Sequence, residues 1–495
     1  MDRNDLSPAE LRVWQAFPKG AFVDFRPDGD QEGAQNAVQN AAQGADWGPE
    51  RTVRAEVLRS LLLNGPLEDG EIPSLDVAGA RITGTLDLSH GSVDHAIKLT
   101  ACYFENTPVV YASRLRQLHL SRSVLPGLAA ATVQVEGMLK LSDCRFHGYV
   151  RLGGARIEGA LFLNRAEVVP PDSEWPAIRL GHAAIGDNLY APGLRVHGEV
   201  LLTGASVAGS VTFDDARLRH PGRAALDAQT VTVGNDFHMR RVRTEGWVGL
   251  RGARITGRLD LSYAHLSNPD GTALRAGSST IGELWLRKGP LIEGTLNLRR
   301  AQIDVLFLEP EVVPDQVYFS GLTYTTLTPH EPAERRLPML DRDQDGYLPH
   351  NYEQLSAAYL RVGDDHAARA VQLAKLRRHR RTLPRYGRVW GLLQEVTVGY
   401  GFRPMFAAAW LLSLFAIGSA AFAVHHPSPL KPEEAPDFDP AFFTLDLLLP
   451  VISFGQEGAF DPTGWQQALA YTLVISGWLL ATTVFAGITR TVSRQ

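Results

Sequence analysis

Along the middle of the chain an apolar residue, a glycine two places later and a Leu-x-Leu pair recur with a period of 11 residues. The pattern runs through Ile82, Val93 and Phe104, then Val135, Phe146, Ile157 and Val168, then Val196, Val207, Ile255, Ile281 and Ile303. Alternation within Leu139-x-Leu141 or Leu259-x-Leu261 sends both leucines to one face of a short strand, and the glycine marks a corner. One closed coil of 11 residues would have almost no interior. Two units per turn, about 22 residues, are therefore expected, which predicts a mainly β fold: a parallel β-helix solenoid over residues 71–310. At the start of each unit's next strand stands a small residue, usually alanine. Cys102 and Cys144 occupy that slot, so both thiols are expected to be inert packing groups too far apart for a disulfide.

The flanks lose the period. Residues 1–70 carry an apolar helical face at Val53, Val57, Leu58 and Leu61, predicting an N-terminal helical cap over the exposed strand edges, completed by Trp14, Phe17, Val23 and Phe25. Residues 311–388 read as a connector with a helical hairpin turning at Gly363-Asp364-Asp365, then a basic juxtamembrane segment. Within the connector Asp341, Asp343, Asp345 and Gly346 imitate the start of a calcium-binding loop. The twelfth position, where a bidentate acid is needed, is Tyr352, so a turn that caps the following helix is expected instead.

A different pattern fills 389–495, expected to form a membrane domain. Residues 405–424 and 468–488 carry no charged residue, and each is long enough at 1.5 Å per residue to cross roughly 30 Å of hydrocarbon. Lys375, Arg377, Arg378, Arg380, Arg381, Arg385 and Arg388 precede the first run, whereas the segment between the two runs is acidic. The positive-inside rule then places both termini in the cytoplasm at the plasma (inner) membrane, with the basic residues available to anionic lipid headgroups. TVGYG at 397–401 copies a potassium-filter motif, but it precedes both runs and is expected to be only an elbow. Between the runs, 441–456 is apolar yet too short to span, predicting a re-entrant or interfacial segment. Asp446, Pro450, Gly455, Gln456 and Glu457 form the candidate functional loop, pore-like or packed over the helix ends.

Charge and composition narrow the function classes. With 49 Lys+Arg against 54 Asp+Glu there is no basic field for nucleic acid, and only two cysteines exclude a disulfide-built scaffold and a zinc site made from several thiolates. The acidic N-terminus lacks a leader pattern, so the first domain is expected to stay in the cytosol. No nucleophile elbow, phosphate loop or metalloprotease motif is present, and no catalytic, metal or cofactor residue is assigned. His425 and His426 lack a third ligand nearby in sequence. Arg156, Arg251, Arg254, Arg299 and Arg300 form a solvated face that an acidic partner could use.

On GARITGTLDLS, GARIEGALFL and GARITGRLDLS, on NYEQLSAAYLRVGDDHAAR, and on VTVGYGFRP and LDLLLPVISFGQEGAF, nearly the whole chain resembles a bacterial, actinobacterial-type family. In that family pentapeptide-like β-helix repeats precede a two-helix membrane anchor. Its members are often labelled membrane-associated oxidoreductases, a label that implies a nicotinamide, flavin or metal site not visible in these residues. The expected function is a membrane-tethered scaffold with an unknown protein partner on the rod. The alternatives are a two-helix channel or sensor and, further behind, an oxidoreductase.

Overall fold

The computed structural model describes residues 5–27, 34–172, 174–287, 292–382, 384, 404–431, 435–449 and 453–492, with side chains described at all of these except 34–37, 404–407 and 481–492. The chain divides into two compact units, Met1–Gln354 and Leu355–Gln495.

The first unit is a parallel β-solenoid of about 11 turns with 22 residues per coil, consistent with a pentapeptide-like repeat, and it carries helices at its ends. A typical coil has four short sides, Gln134–Val135, Leu139–Lys140, Arg145–Phe146 and Val150–Arg151. Each side pairs in parallel with its equivalent in the next coil, as in Val135 with Ile157 and Leu139 with Leu161. The 11-residue period is thus half a turn, and two units close the coil. Inside, identical positions stack into columns such as Val135, Ile157, Ile185, Val207, Val233 and Ile255, each exposed by at most 2%. β-Branched side chains suit such a column because they pack well against neighbours on a pleated surface.

At corners such as Gly186 and Gly234 the glycine is required by close approach and not by dihedral freedom. A Cβ on Gly186 would lie 2.2 Å from the Glu158 carbonyl oxygen of the coil before, and on Gly234 it would lie 2.0 Å from that of Ala208. The left-handed backbone sits elsewhere, at the turn before the small-residue slot. Among the described residues, fourteen other than glycine, including Thr132, Asp143, Arg165 and Arg300, adopt φ between 49° and 62°. Each such residue costs on the order of 1 kcal/mol. The cost is offset by the inter-coil bonds that the turn permits, as in Asp143 N–H to Asn164 O at 2.8 Å.

The cap contributes more than helices. Helix α1 (Pro8–Ala16) starts with a Ser7–Glu10 capping box, α2 spans Ala34–Ala42, and α3 (Ala55–Asn64) buries Val57, Leu58 and Leu61. Val53, expected on a helix, lies in the strand Thr52–Arg54 and pairs with Ile82, while Phe22–Asp24 pairs with Asp76–Ala78. The cap therefore supplies the first rung of both sheets. At the far end the ladder continues through Val317–Tyr318 and Thr323–Thr328. Helix α4 (Ala333–Asp341) follows. The four-residue insertions HPGR and NPDG are bulges within the long strands Arg217–Asp227 and His265–Arg275. Room for them comes from the coil after: Gly246 and Gly294, at φ 118° and 116°, lie where a Cβ would strike His220 O and Asn268 O.

Cys102 and Cys144 are buried in the small-residue column, their thiols near Thr100 O at 3.3 Å and Leu120 O at 2.9 Å. Burial pushes both thiols up to about 12, so neither carries thiolate at neutral pH.

Helices α5 (Pro349–Arg361) and α6 (Asp365–Thr382) are joined by a turn with Gly363 at φ 79° and Asp364 accepting the Ala367 N–H at 2.9 Å. Beyond them lie α7 (Pro404–Val424), α8 (Pro440–Leu448) and α9 (Trp465–Val492). Among the described residues, no helix is long and apolar enough to cross a membrane. The uncharged runs 405–424 and 468–488 extend past the described side chains, at 405–407 and 481–488. TVGYG, Arg385, Arg388 and Pro450 lie outside the described residues.

Candidate functional site

Four of the five residues of the candidate loop meet around one carboxylate. Asp446 sits in the last turn of α8, only 5% exposed, and accepts backbone N–H groups from Phe454, from Gln456 at 2.6 Å and from Glu457 at 3.1 Å. Gly455, at φ 81°, supplies the left-handed turn that aims these donors at a single acceptor. The Gln456 side chain closes the other end of the helix: its Oε1 accepts Asp439 N–H at 3.3 Å and its Nε2 donates to Asp437 O at 3.1 Å. Asp439 in turn caps α8, accepting Ala441 N–H at 2.8 Å and Phe442 N–H at 3.1 Å. Glu457 contributes only its backbone; its side chain is exposed. A carboxylate has about four lone-pair sites, and with three N–H donors in place Asp446 is a structural acceptor fastening the loop to α8.

Small residues let α8 approach its neighbours. A Cβ on Gly418 of α7 would meet Thr444 Cγ2 at 2.5 Å, and one on Gly477 of α9 would meet Leu448 O at 2.2 Å. Phe443 packs edge-on against Phe422 at 4.9 Å between centroids, and Phe438 and Phe460 continue the aromatic cluster. His425 and His426 lie against Trp465 and Phe438 respectively. Five of the predicted basic residues, Lys375, Arg377, Arg378, Arg380 and Arg381, fall in the second half of α6, where the helix dipole favours cations. The acids of the calcium-like turn are engaged by protein donors. Asp343 is buried and accepts from the Phe319 and Asp345 N–H groups and from Asn351, and burial raises its pKa. Asp345 pairs with Arg299.

The rod carries a second candidate that the sequence showed only in part. A groove of about 530 Å³ is lined by Arg251, Arg275, Arg299 and Arg300 with no carboxylate among its lining residues. Arg251, Arg299 and Arg300 belong to the predicted stripe. Arg156 and Arg254 do not join them; they occupy another ladder, four coils apart, running through Ala184, Ser206 and Thr232. Arg275 escaped notice because the NPDG bulge displaces it: it pairs with Gly249, 26 residues earlier, instead of the regular 22. Two of the guanidiniums lie over rings, Arg275 on Trp247 at 4.3 Å and Arg299 on Tyr318 at 3.8 Å. No family model, curated protein or solved structure matches the chain.

Proposed function

We propose that the chain is a scaffold protein in which a cytoplasmic β-solenoid is tethered to the inner face of the plasma membrane by its two C-terminal apolar helices. The observation that carries the scaffold half is the packed interior. Columns of Leu, Ile, Val and Phe fill every coil, with Phe146, Phe213 and Phe237 fully buried, so recognition falls to the outer faces. Those faces present the arginine groove as a surface for an acidic partner. Support for the tether comes from the uncharged runs 405–424 and 468–488 and from the exposure of Trp410, Leu412 and Ile417 on α7 and of Tyr471, Ile475 and Trp478 on α9. Such apolar surface is covered by lipid or by protein, and the aromatic rings suit the headgroup region. The basic end of α6 then faces anionic headgroups.

Alkaline carbonate extraction of bacterial membranes expressing the full chain tests the tether: the protein stays in the pellet, and its release into the supernatant overturns the reading. Reporters fused at the N-terminus and within 426–431 are expected on opposite sides, cytoplasmic and external. In the same membranes a double charge reversal, Arg251→Glu with Arg300→Glu, releases a co-purifying acidic component without detaching the chain.

A further inference from the structure

The groove on the rod is built by a defect in an otherwise regular surface. Two neighbouring positions of the coil form it. In the first, successive coils present Arg251, Gly277 and Arg299; in the second, Gly252, Ser278 and Arg300, as the inter-coil bonds Gly252 N–H to Gly277 O and Ser278 N–H to Arg299 O define. Gly277 and Ser278 leave an open rung between arginines. At about 4.8 Å per coil, Arg251 and Arg299 stand roughly 9–10 Å apart along the axis with nothing larger than a glycine between them. Arg275 and Asn297 lie on the adjoining ladder and close one side.

Positive charge here is only partly neutralised from within. Arg299 is paired with Asp345, but Arg251, Arg275 and Arg300 have no carboxylate partner among the described residues. Other arginines of the rod are compensated: Arg165, Arg240, Arg241 and Arg258 each face an acid on a neighbouring coil. Three uncompensated guanidiniums in one recess repel each other unless an anion joins them. Guanidinium forks match phosphate oxygens in geometry and charge, and a hydroxyl and an amide, from Ser278 and Asn297, stand ready beside them. The recess is also bounded. Towards the N-terminus the ladder of Arg151 and Arg179 passes through Leu201 and Asp227 before it reaches Gly249 and Arg275, so the positive surface is interrupted and does not suit a long polyanion.

We propose that this groove binds a diphosphate group, with Arg251 and Arg275, on successive coils, gripping one phosphate and Arg300 the other. The span of two coils from Arg251 to Arg300 is too wide for a single phosphate to meet all three. The proposal goes beyond the scaffold reading and stands or falls apart from it, because binding is measured on the detergent-solubilised full chain without membranes.

The test is calorimetric titration with inorganic pyrophosphate at physiological salt, compared with inorganic phosphate. Saturable binding at one site is expected, at least tenfold tighter for pyrophosphate. Arg251→Ala and Arg300→Ala, both exposed, each weaken it at least tenfold with an unchanged melting temperature, while Arg254→Ala on the other ladder leaves it unaltered. The absence of binding overturns the proposal, as does equal weakening by Arg254→Ala or equal affinity for the two anions. A second arm replaces pyrophosphate with detergent micelles containing farnesyl diphosphate, which carries the same diphosphate on an apolar chain. Binding that needs Arg251 and Arg300 and is tighter than that of pyrophosphate identifies the phosphates as lipid-borne; weaker binding identifies a soluble diphosphate.

Discussion

The solenoid and the C-terminal helices are held together in opposite ways. In the solenoid every coil repeats the same bonds to its neighbours and the same apolar columns, so cohesion is spread over many equivalent contacts between adjacent turns. Around α8 a few unlike contacts do the work: one carboxylate collecting three N–H groups, two glycines where backbone or a threonine approaches, and an aromatic cluster. Repetition makes damage local and tolerable, whereas a singular contact has no neighbour to take its place.

The largest effect that tests this difference is expected inside the rod. Phe237→Ala empties a fully buried site beside Phe213 and should cost about 3–5 kcal/mol in urea unfolding. Hydrogen exchange should nevertheless rise only in the flanking coils; loss of protection throughout the rod would break the nearest-neighbour picture. Next comes Asp446→Ala, which leaves three N–H groups without their acceptor. It should cost about 2–3 kcal/mol and free the 454–457 amides to exchange, while the solenoid amides are unchanged. Retained protection at Gln456 and Glu457 would show that the carboxylate is dispensable.

A smaller effect depends on pH. Burial, reinforced by Lys140 and Lys98, lowers the His119 pKa to about 4. An unfolded histidine titrates near 6.5, so between about pH 6.5 and 4 only the unfolded chain takes up this proton. His119 stability is therefore complete above pH 6.5, falls as pH drops towards 4, and is constant below. The loss should be about 1–2 kcal/mol once screening at this partly exposed site is allowed for. Denaturation of His119→Gln across that range should lack this component; an identical pH profile would refute it. The smallest expected change is a gain. Thr244 lies in an apolar column between Leu218 and Leu266, 2% exposed, and its hydroxyl has no hydrogen-bond partner among the described residues. Thr244→Val should add about 1 kcal/mol, measured by thermal unfolding of that segment. A loss would mean that the hydroxyl has an ordered partner.

The two regions also differed in what their residues disclosed. The 22-residue coil, its inward Leu-x-Leu pairs and the fate of both cysteines were legible because each feature recurs and the recurrence fixes its register. The left-handed turn was not, since Thr132, Asp143, Arg165 and Arg300 have nothing in common as residue types; inter-coil bonding imposes their shared φ. Asp446, Gly455, Gln456 and Glu457 were picked out as a group without a sign of how they meet. The groove was legible in three of its four arginines, and a bulge hid Arg275.

What the sequence by itself determined is whatever a period can encode: a parallel solenoid, two units to a coil, apolar columns within and charge without. Tertiary structure alone decided the exceptions. A strand instead of a helix at Val53 completes the first rung, and Gly277 becomes an opening only because arginines lie on the coils to either side. Asp446 becomes a fastening only because a loop eight to eleven residues on turns its N–H groups back. The physical reason is the same in each case. A periodic pattern specifies contacts between equivalent positions, but a contact between unlike positions exists only once folding has brought them together.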